Sequence, residues 1–178
     1  MKYLISADLH GSNYYAEKII ERFNAEKADL LVLLGDVFNH GPRNPLPKDY
    51  APLKVADQLN GVKDKLLVLK GNCDSEVDTM ISQFDFLESV ALSDGDKKIF
   101  LTHGHIYNKD NPPKTKFDAV IYGHFHTGFI EKIGDTIYAN SGSLSLPKNE
   151  TPNSYLILEN GVLTLKTING EIIKQINL

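Results

Sequence analysis

An α/β fold with helices outside and two sheets packed inside is what this sequence predicts. Two observations carry the prediction. The first half alternates short apolar runs with segments of helical period. The second half is a succession of strand-length apolar runs, the last of them joined by Asn160-Gly161 and Asn169-Gly170. At 178 residues the chain fits one domain over residues 1–178, able to bury about 70% of the surface its unfolded form exposes.

Tyr3–Ala7 is apolar and bounded, as a buried strand should be. Ser12 or Asn13 can cap a helix in which Ala16, Ile19, Ile20 and Phe23 recur at i, i+3, i+4 and i+7. Leu30–Leu34 reads as the next strand. Pro52, Val55, Ala56 and Leu59 repeat the helical spacing, with Pro52 suited to a first turn and Gly61 to a stop. Lys65–Leu69 is a third strand, and Val77, Met80, Ile81 and Phe84 mark a third short helix capped by Ser75. Lys98–Thr102, Ala119–Tyr122 and Thr136–Ala139 come next as strands. Ser154–Glu159, Val162–Ile168 and Glu171–Ile176 then form an antiparallel meander, because Asn-Gly supplies the positive φ angles that tight hairpin turns require.

Composition removes several classes of function. Hydrophobic residues make up 42% and charged residues 24%, so the chain is not disordered. Net charge −4 offers no basic footprint for nucleic acid and none for an anionic membrane surface. Asp8 interrupts the first apolar run far short of a signal-peptide core, and no apolar run reaches membrane-spanning length. A single cysteine, Cys73, excludes an internal disulfide. The expected address is the cytoplasm.

The informative pattern lies at the carboxyl end of each strand. Asp8 and His10 end the first, Gly35-Asp36 the second, and Gly71-Asn72-Cys73-Asp74 the third. His103-Gly104-His105 and Gly123-His124-Phe125-His126 end two later strands. In α/β sheets, ligands bind at the carboxyl ends of strands, so these segments should meet in one crevice. The six histidines are His10, His40, His103, His105, His124 and His126, and all lie in or near these segments. Asp, His and Asn form a ligand set for Mn, Fe, Ni or Zn. Asp8, His10, Asp36, Asn72, His103, His124 and His126 suffice for two metals sharing a carboxylate, the arrangement that clamps attacking and leaving oxygens at phosphorus. Any one of these motifs alone is an ordinary turn. Their ordered recurrence on strand ends is what makes the metal site specific.

The same series, Asp8-x-His10, Gly35-Asp36, Gly71-Asn72-x-Asp74, His103 and Gly123-His124-x-His126, resembles the calcineurin-like metallophosphoesterase superfamily over residues 1–147. The loops 35–44 and 71–78 are similar to those of small bacterial YfcE-type phosphodiesterases. The resemblance implies a four-layer α/β/β/α sandwich of two mixed β-sheets. It implies two divalent ions, Mn²⁺ foremost: Asp8, His10 and His126 on the first, Asn72, His103 and His124 on the second, and Asp36 bridging. The implied reaction is in-line attack on a small phosphodiester by a metal-bridging hydroxide, with Asp36, Asn72, His103 and Cys73 at the catalytic centre. Family members commonly self-associate, so the same resemblance leaves room for a homo-oligomer. Phosphomonoesterase and nuclease activities are the alternatives within the superfamily, and a non-catalytic Vps29-like scaffold is a further one, although here every ligand position is filled.

Two departures from the family pattern stand out. Cys73 occupies a position where the superfamily usually carries His, and a neutral thiol is a feeble donor to a leaving oxygen. Asn140-Ser141-Gly142-Ser143 replaces the usual Asn-Pro-Gly-Ser, for which only a changed turn is expected. The chain has two arginines, Arg22 and Arg43. Arg43, near His40 in the Gly- and Pro-rich loop after Asp36, is the candidate for contacting a phosphate oxygen, with His40 as a second substrate-binding candidate. For His105 the expectation is a histidine supporting a ligand from behind, or a hydrogen-bonded core histidine.

Overall fold

A computed structural model describes all residues, 1–178. It contains twelve strands and two α-helices: β1 Lys2–Ser6, α1 Asn13–Glu26, β2 Leu30–Leu33, α2 Pro52–Asn60, β3 Leu66–Leu69, β4 Phe86–Leu87, β5 Ser89–Asp94, β6 Lys97–Thr102, β7 Ala119–Tyr122, β8 Phe129–Ile133, β9 Thr136–Asn140, β10 Ser154–Glu159, β11 Val162–Thr167 and β12 Ile172–Asn177. One sheet runs β12-β11-β10-β1-β2-β3-β4 and the other β5-β6-β7-β9-β8. Both are mixed. β1, β2, β3 and β4 are parallel, and β10 lies antiparallel to β1. In the second sheet β6, β7 and β9 are parallel, flanked by antiparallel β5 and β8.

The uninterrupted apolar character of β1 and β2 has a direct cause: both their faces are buried. Ile5, Val32 and Leu156 point between the sheets and meet Ile99, Leu101, Ile121 and Ala139. Leu4, Leu31, Leu33 and Ile157 point the other way, onto Ala16, Ile19 and Phe23 of α1 and Val55, Ala56 and Leu59 of α2. Replacing a fully buried leucine such as Leu31 with alanine would cost about 2–5 kcal/mol. α1 starts where expected, with the Ser12 side chain accepting from the Tyr15 N–H. No helix is long and apolar enough to cross a membrane.

Three local features differ from the sequence reading. The segment after Ser75 is a 3-10 turn over Glu76–Met80, with Val77 and Met80 exposed, so its apolar spacing reflects no packed helical face. The outer face of the five-stranded sheet, with Phe100, Val120, Tyr122 and Tyr138, is closed by Phe117 and the irregular segment 103–118, where the four-layer description would place a second helical layer. The two hairpins also differ. At Asn160-Gly161 both residues have positive φ, but in the second turn only Gly170 does, and β11 and β12 pair with a register shift at Leu165/Lys166. β4, β5 and β8 had no counterpart in the sequence reading. β5 and β8 are edge strands whose exposed residues break the apolar pattern.

Candidate functional site

The ends of β1, β2, β3, β6 and β7 meet at one edge of the sandwich, where backbone hydrogen bonds link β1 to β2 and β6 to β7. Asp8 N–H donates to the Gly35 carbonyl (3.1 Å), His10 N–H to that of Asp36 (2.9 Å), and Gly123 N–H to that of His103 (2.8 Å). Asp8, His10, Asp36, His124 and His126 all hold positive φ, between 51° and 66°. L-residues rarely adopt this region, and five such residues in one cluster mark a site where geometry is held against a local cost. Close packing enforces it. A Cβ on Gly71 would collide with Asp36 Oδ1, and one on Gly123 would sit 2.8 Å from Asp8 Oδ2.

Asp8, His10 and His126 form one group of converging ligand atoms, and Asp36, His103 and His124 another. His10 Nδ1 donates to the Asn39 carbonyl at 2.8 Å, and His126 Nδ1 to the Leu146 carbonyl at 2.7 Å. A carbonyl only accepts, so both protons are on Nδ1. Burial pushes both imidazoles below their usual pKa, His126 to about 4, so at neutral pH they are uncharged. Their Nε2 lone pairs therefore face each other across 3.1 Å. Asp8 Oδ1, buried and without a hydrogen-bond partner, lies 3.5 Å from His126 Nε2 and 3.8 Å from His10 Nε2. Acceptors converging on one point, each oriented by a second hydrogen bond, are what a divalent cation requires.

The second group shares the carbonyl contact to one imidazole but differs in charge. His103 Nδ1 donates to the Leu34 carbonyl at 2.8 Å, while its Nε2 lies 3.1 Å from Asn72 Oδ1 and 3.5 Å from Asp36 Oδ2. Burial alone would push His103 down. The Asp36 carboxylate and the Asp8 charge outweigh it and raise the pKa to about 9. Burial pushes Asp36 up, but its bond to His103 prevails and holds it well below the usual carboxylate range. Asp36 Oδ2 is also 3.8 Å from His10 Nε2. One oxygen thus stands between the two groups. Its other oxygen, Oδ1, accepts from the Cys73 N–H at 2.8 Å.

An open cleft of about 760 Å³ covers this cluster, lined among others by Asp36, Arg43, Asn72, Cys73, Phe125 and Lys148. Arg43 is exposed on this lining and makes no ion pair within the chain. His40 is not part of the lining: its ring packs edge-on against Tyr50, with centroids 5.3 Å apart. Cys73 is half-buried, and burial together with the neighbouring Asp36 pushes its thiol up to about 12. His105 is exposed, so it is not a core histidine, and its ring stands 5.3 Å from that of His103, beside a ligand candidate.

Some contributors escaped the sequence reading. The buried Asp74 carboxylate accepts from Asp36 N–H (2.8 Å), Val37 N–H (2.8 Å) and Gly71 N–H (2.7 Å), clamping two strand ends. Its signal is the single acid that closes Gly71-Asn72-x-Asp74. Ser143 and Ser145 both donate to the Asp8 carbonyl, at 2.8 and 3.0 Å. Asn140 bridges the Gly123 carbonyl and the Gly142 N–H, so the altered 140–143 turn still braces the site. Lys148 donates its backbone N–H to the His126 carbonyl (2.9 Å), which places it on the rim. No local pattern distinguishes it from other lysines.

Residues 1–161 match the family model described as the calcineurin-like phosphoesterase superfamily domain. The chain belongs to that superfamily. It is 43% identical to "Phosphodiesterase YfcE" of Escherichia coli K12 over 177 residues, 97% of this chain and 95% of the relative. The solved structure of the E. coli phosphoesterase Yfce superposes with a TM-score of 0.95 at 40% identity, covering 99% of both chains. Vacuolar protein sorting 29 from Cryptosporidium parvum shares the fold at TM-score 0.68 and 18% identity, covering 99% of this chain and 98% of its own. Membership makes the protein a phosphoric ester hydrolase of a metal-dependent family with two mixed sheets, as the sequence motifs implied.

Proposed function

We propose that the protein is a phosphodiesterase that cleaves small phosphodiesters in line, at a centre holding two divalent cations. The observation that carries this reading is the position of Asp36 Oδ2 between His10 Nε2 (3.8 Å) and His103 Nε2 (3.5 Å), the place of a bridging carboxylate. Asp8, His10 and His126 would hold one ion, and Asn72, His103 and His124 the other. The three oxygen donors, from Asp8, Asp36 and Asn72, among four imidazoles suit Mn²⁺, while Fe, Ni or Zn would also be held. Such ions supply Lewis-acid charge to the phosphoryl oxygens and lower the pKa of water at neutral pH.

The chain's own residues do the rest. Carbonyls of Leu34, Asn39 and Leu146 orient three imidazoles through Nδ1. The Cys73 N–H holds the Asp36 carboxylate in place. Arg43 offers a planar fork to a non-bridging phosphate oxygen, and Lys148 a second positive charge on the same cleft. The Cys73 thiol stays neutral and donates weakly, so a leaving oxygen receives little help with its proton. Activated diesters are therefore the favoured substrates. The name of the E. coli relative supports the same reaction.

The test is a hydrolysis panel with Mn²⁺, Zn²⁺, Ni²⁺ and Fe²⁺, pairing bis(p-nitrophenyl) phosphate with p-nitrophenyl phosphate. The diester should turn over faster with the best metal. A monoester rate tenfold above the diester rate would overturn the reading.

A further inference from the structure

Phe125 stands between two of the metal-binding candidates, and it is not buried. It is 43% exposed and lines the cleft with Asp36, Asn72 and His126. A large apolar side chain left open beside a polar centre calls for a reason, since burying it elsewhere would be favourable. Its position is rigidly set. His124 and His126 on either side both hold positive φ, and Phe125 N–H closes a tight turn onto the Gly123 carbonyl at 2.7 Å. The ring meets His124 edge-on, at 5.0 Å between centroids and 80° between planes, and Tyr122 likewise at 6.0 Å and 74°. Neither neighbour stacks on it face to face.

We propose that Phe125 is a platform on which the planar aromatic group of the substrate's ester stacks, so that the enzyme selects aromatic phosphate esters, aryl or nucleoside, over alkyl ones. This rests on the phosphoesterase reading of the adjacent site and adds its substrate class. Arg43 and Lys148 line the same cleft, so a phosphate held by the cationic groups places its ester substituent within the cleft that Phe125 also lines. Stacking of a planar ring on an aromatic side chain is worth about 1–3 kcal/mol, and the lower part of that range gives a preference of about tenfold.

The test is calorimetric binding to the Mn²⁺-loaded protein, with metal content verified, of methylphosphonate, phenylphosphonate and thymidine 5′-phosphate. The C–P bonds of the two phosphonates resist hydrolysis, so the readout does not depend on turnover. The wild type should bind phenylphosphonate about tenfold more tightly than methylphosphonate. In Phe125→Ala that ratio should fall to about one, and in Phe125→Trp it should be retained. A thymidine 5′-phosphate affinity that tracks phenylphosphonate through all three proteins identifies a nucleobase as an occupant; one that tracks methylphosphonate restricts the platform to aryl esters. A wild-type ratio of one, a ratio that survives Phe125→Ala, or equal weakening of both phosphonates with the ratio kept would overturn the proposal. Failure of the diesterase reading looks different: turnover is absent from the hydrolysis panel while the binding ratio persists.

Discussion

The Nε2 atoms of His10 and His126 lie 3.1 Å apart, each a bare lone pair because each ring donates its Nδ1 proton to a backbone carbonyl. The buried Asp8 Oδ1 adds a third acceptor and has no hydrogen-bond donor of its own. Burial pushes the Asp8 carboxyl of the metal-free chain up to about 8, so the three groups converge where a divalent cation would keep that carboxylate ionised.

Metal should therefore stabilise the fold as well as enable the reaction. At a concentration a hundredfold above Kd, one site adds about 2.7 kcal/mol, or roughly 5–10 °C in Tm for a chain of this size. Scanning calorimetry of the chelator-treated protein, with and without Mn²⁺, measures this. His126→Ala should chiefly deplete one ion. Asp36→Asn should lower metal content at both positions and abolish activity. Two full equivalents of metal in Asp36→Asn would remove the bridging role.

Cys73→His should raise kcat/KM on esters with poor leaving groups. Residue 73 lines the cleft, and its present thiol, held up at about 12, is neither an acid of useful strength nor a thiolate. A fully positioned general acid contributes about 10²–10⁴-fold, but a grafted side chain without supporting contacts should give about tenfold. Nitrophenyl esters, whose leaving group hardly needs a proton, should change little. Cys73→Ala should cost little; loss of metal or of nearly all activity in that variant would make Cys73 a ligand or nucleophile.

Asp74→Ala should destabilise the protein although Asp74 is not among the proposed ligands. Its carboxylate satisfies the N–H groups of Asp36, Val37 and Gly71, which would be left buried and unpaired. At about 1–3 kcal/mol for each orphaned donor, some relieved by water, a loss of about 3 kcal/mol or more is expected. Urea denaturation measures it. A loss below about 1 kcal/mol would show that water substitutes for the carboxylate.

Far from the site, Glu26 should govern part of the acid stability. Burial pushes its carboxyl up, but hydrogen bonds from Lys166 (2.6 Å) and Tyr155 (2.7 Å) outweigh this and lower the folded pKa. A depressed carboxylate contributes stability that is present above the unfolded pKa, about 4.3, and is lost as pH falls through the folded pKa. The urea midpoint of the wild type should thus fall more steeply below about pH 5 than that of Glu26→Gln. Parallel acid limbs would exclude this contribution.

Strand order and ligand geometry belong to different levels of information. Alternation of apolar runs with helical spacing marks β1, α1, β2, α2 and β3 because burial on one or both faces is written into adjacent residues. β4, β5 and β8 lie at sheet edges, and although Phe86, Val90, Leu92 and Ile130 reach the core, their exposed neighbours leave no sustained apolar run. The 3-10 turn at Glu76–Met80 misleads for the converse reason: its apolar residues share a helical spacing without a surface to cover.

At the site, local sequence is enough to say which side chains stand at strand ends: Asp8, His10, Asp36, Asn72, His103, His124 and His126. Short spacing after an apolar run sets that directly. Folding in three dimensions was needed to bring Asp36 Oδ2 between His10 and His103, to clamp two strand ends with Asp74, to pack His40 on Tyr50, and to put Phe125 and Lys148 in one cleft with Arg43. Those relationships join segments far apart along the chain. They arise where two sheets pack and their carboxyl ends converge, a geometry set by long-range strand pairing and by the core between the sheets.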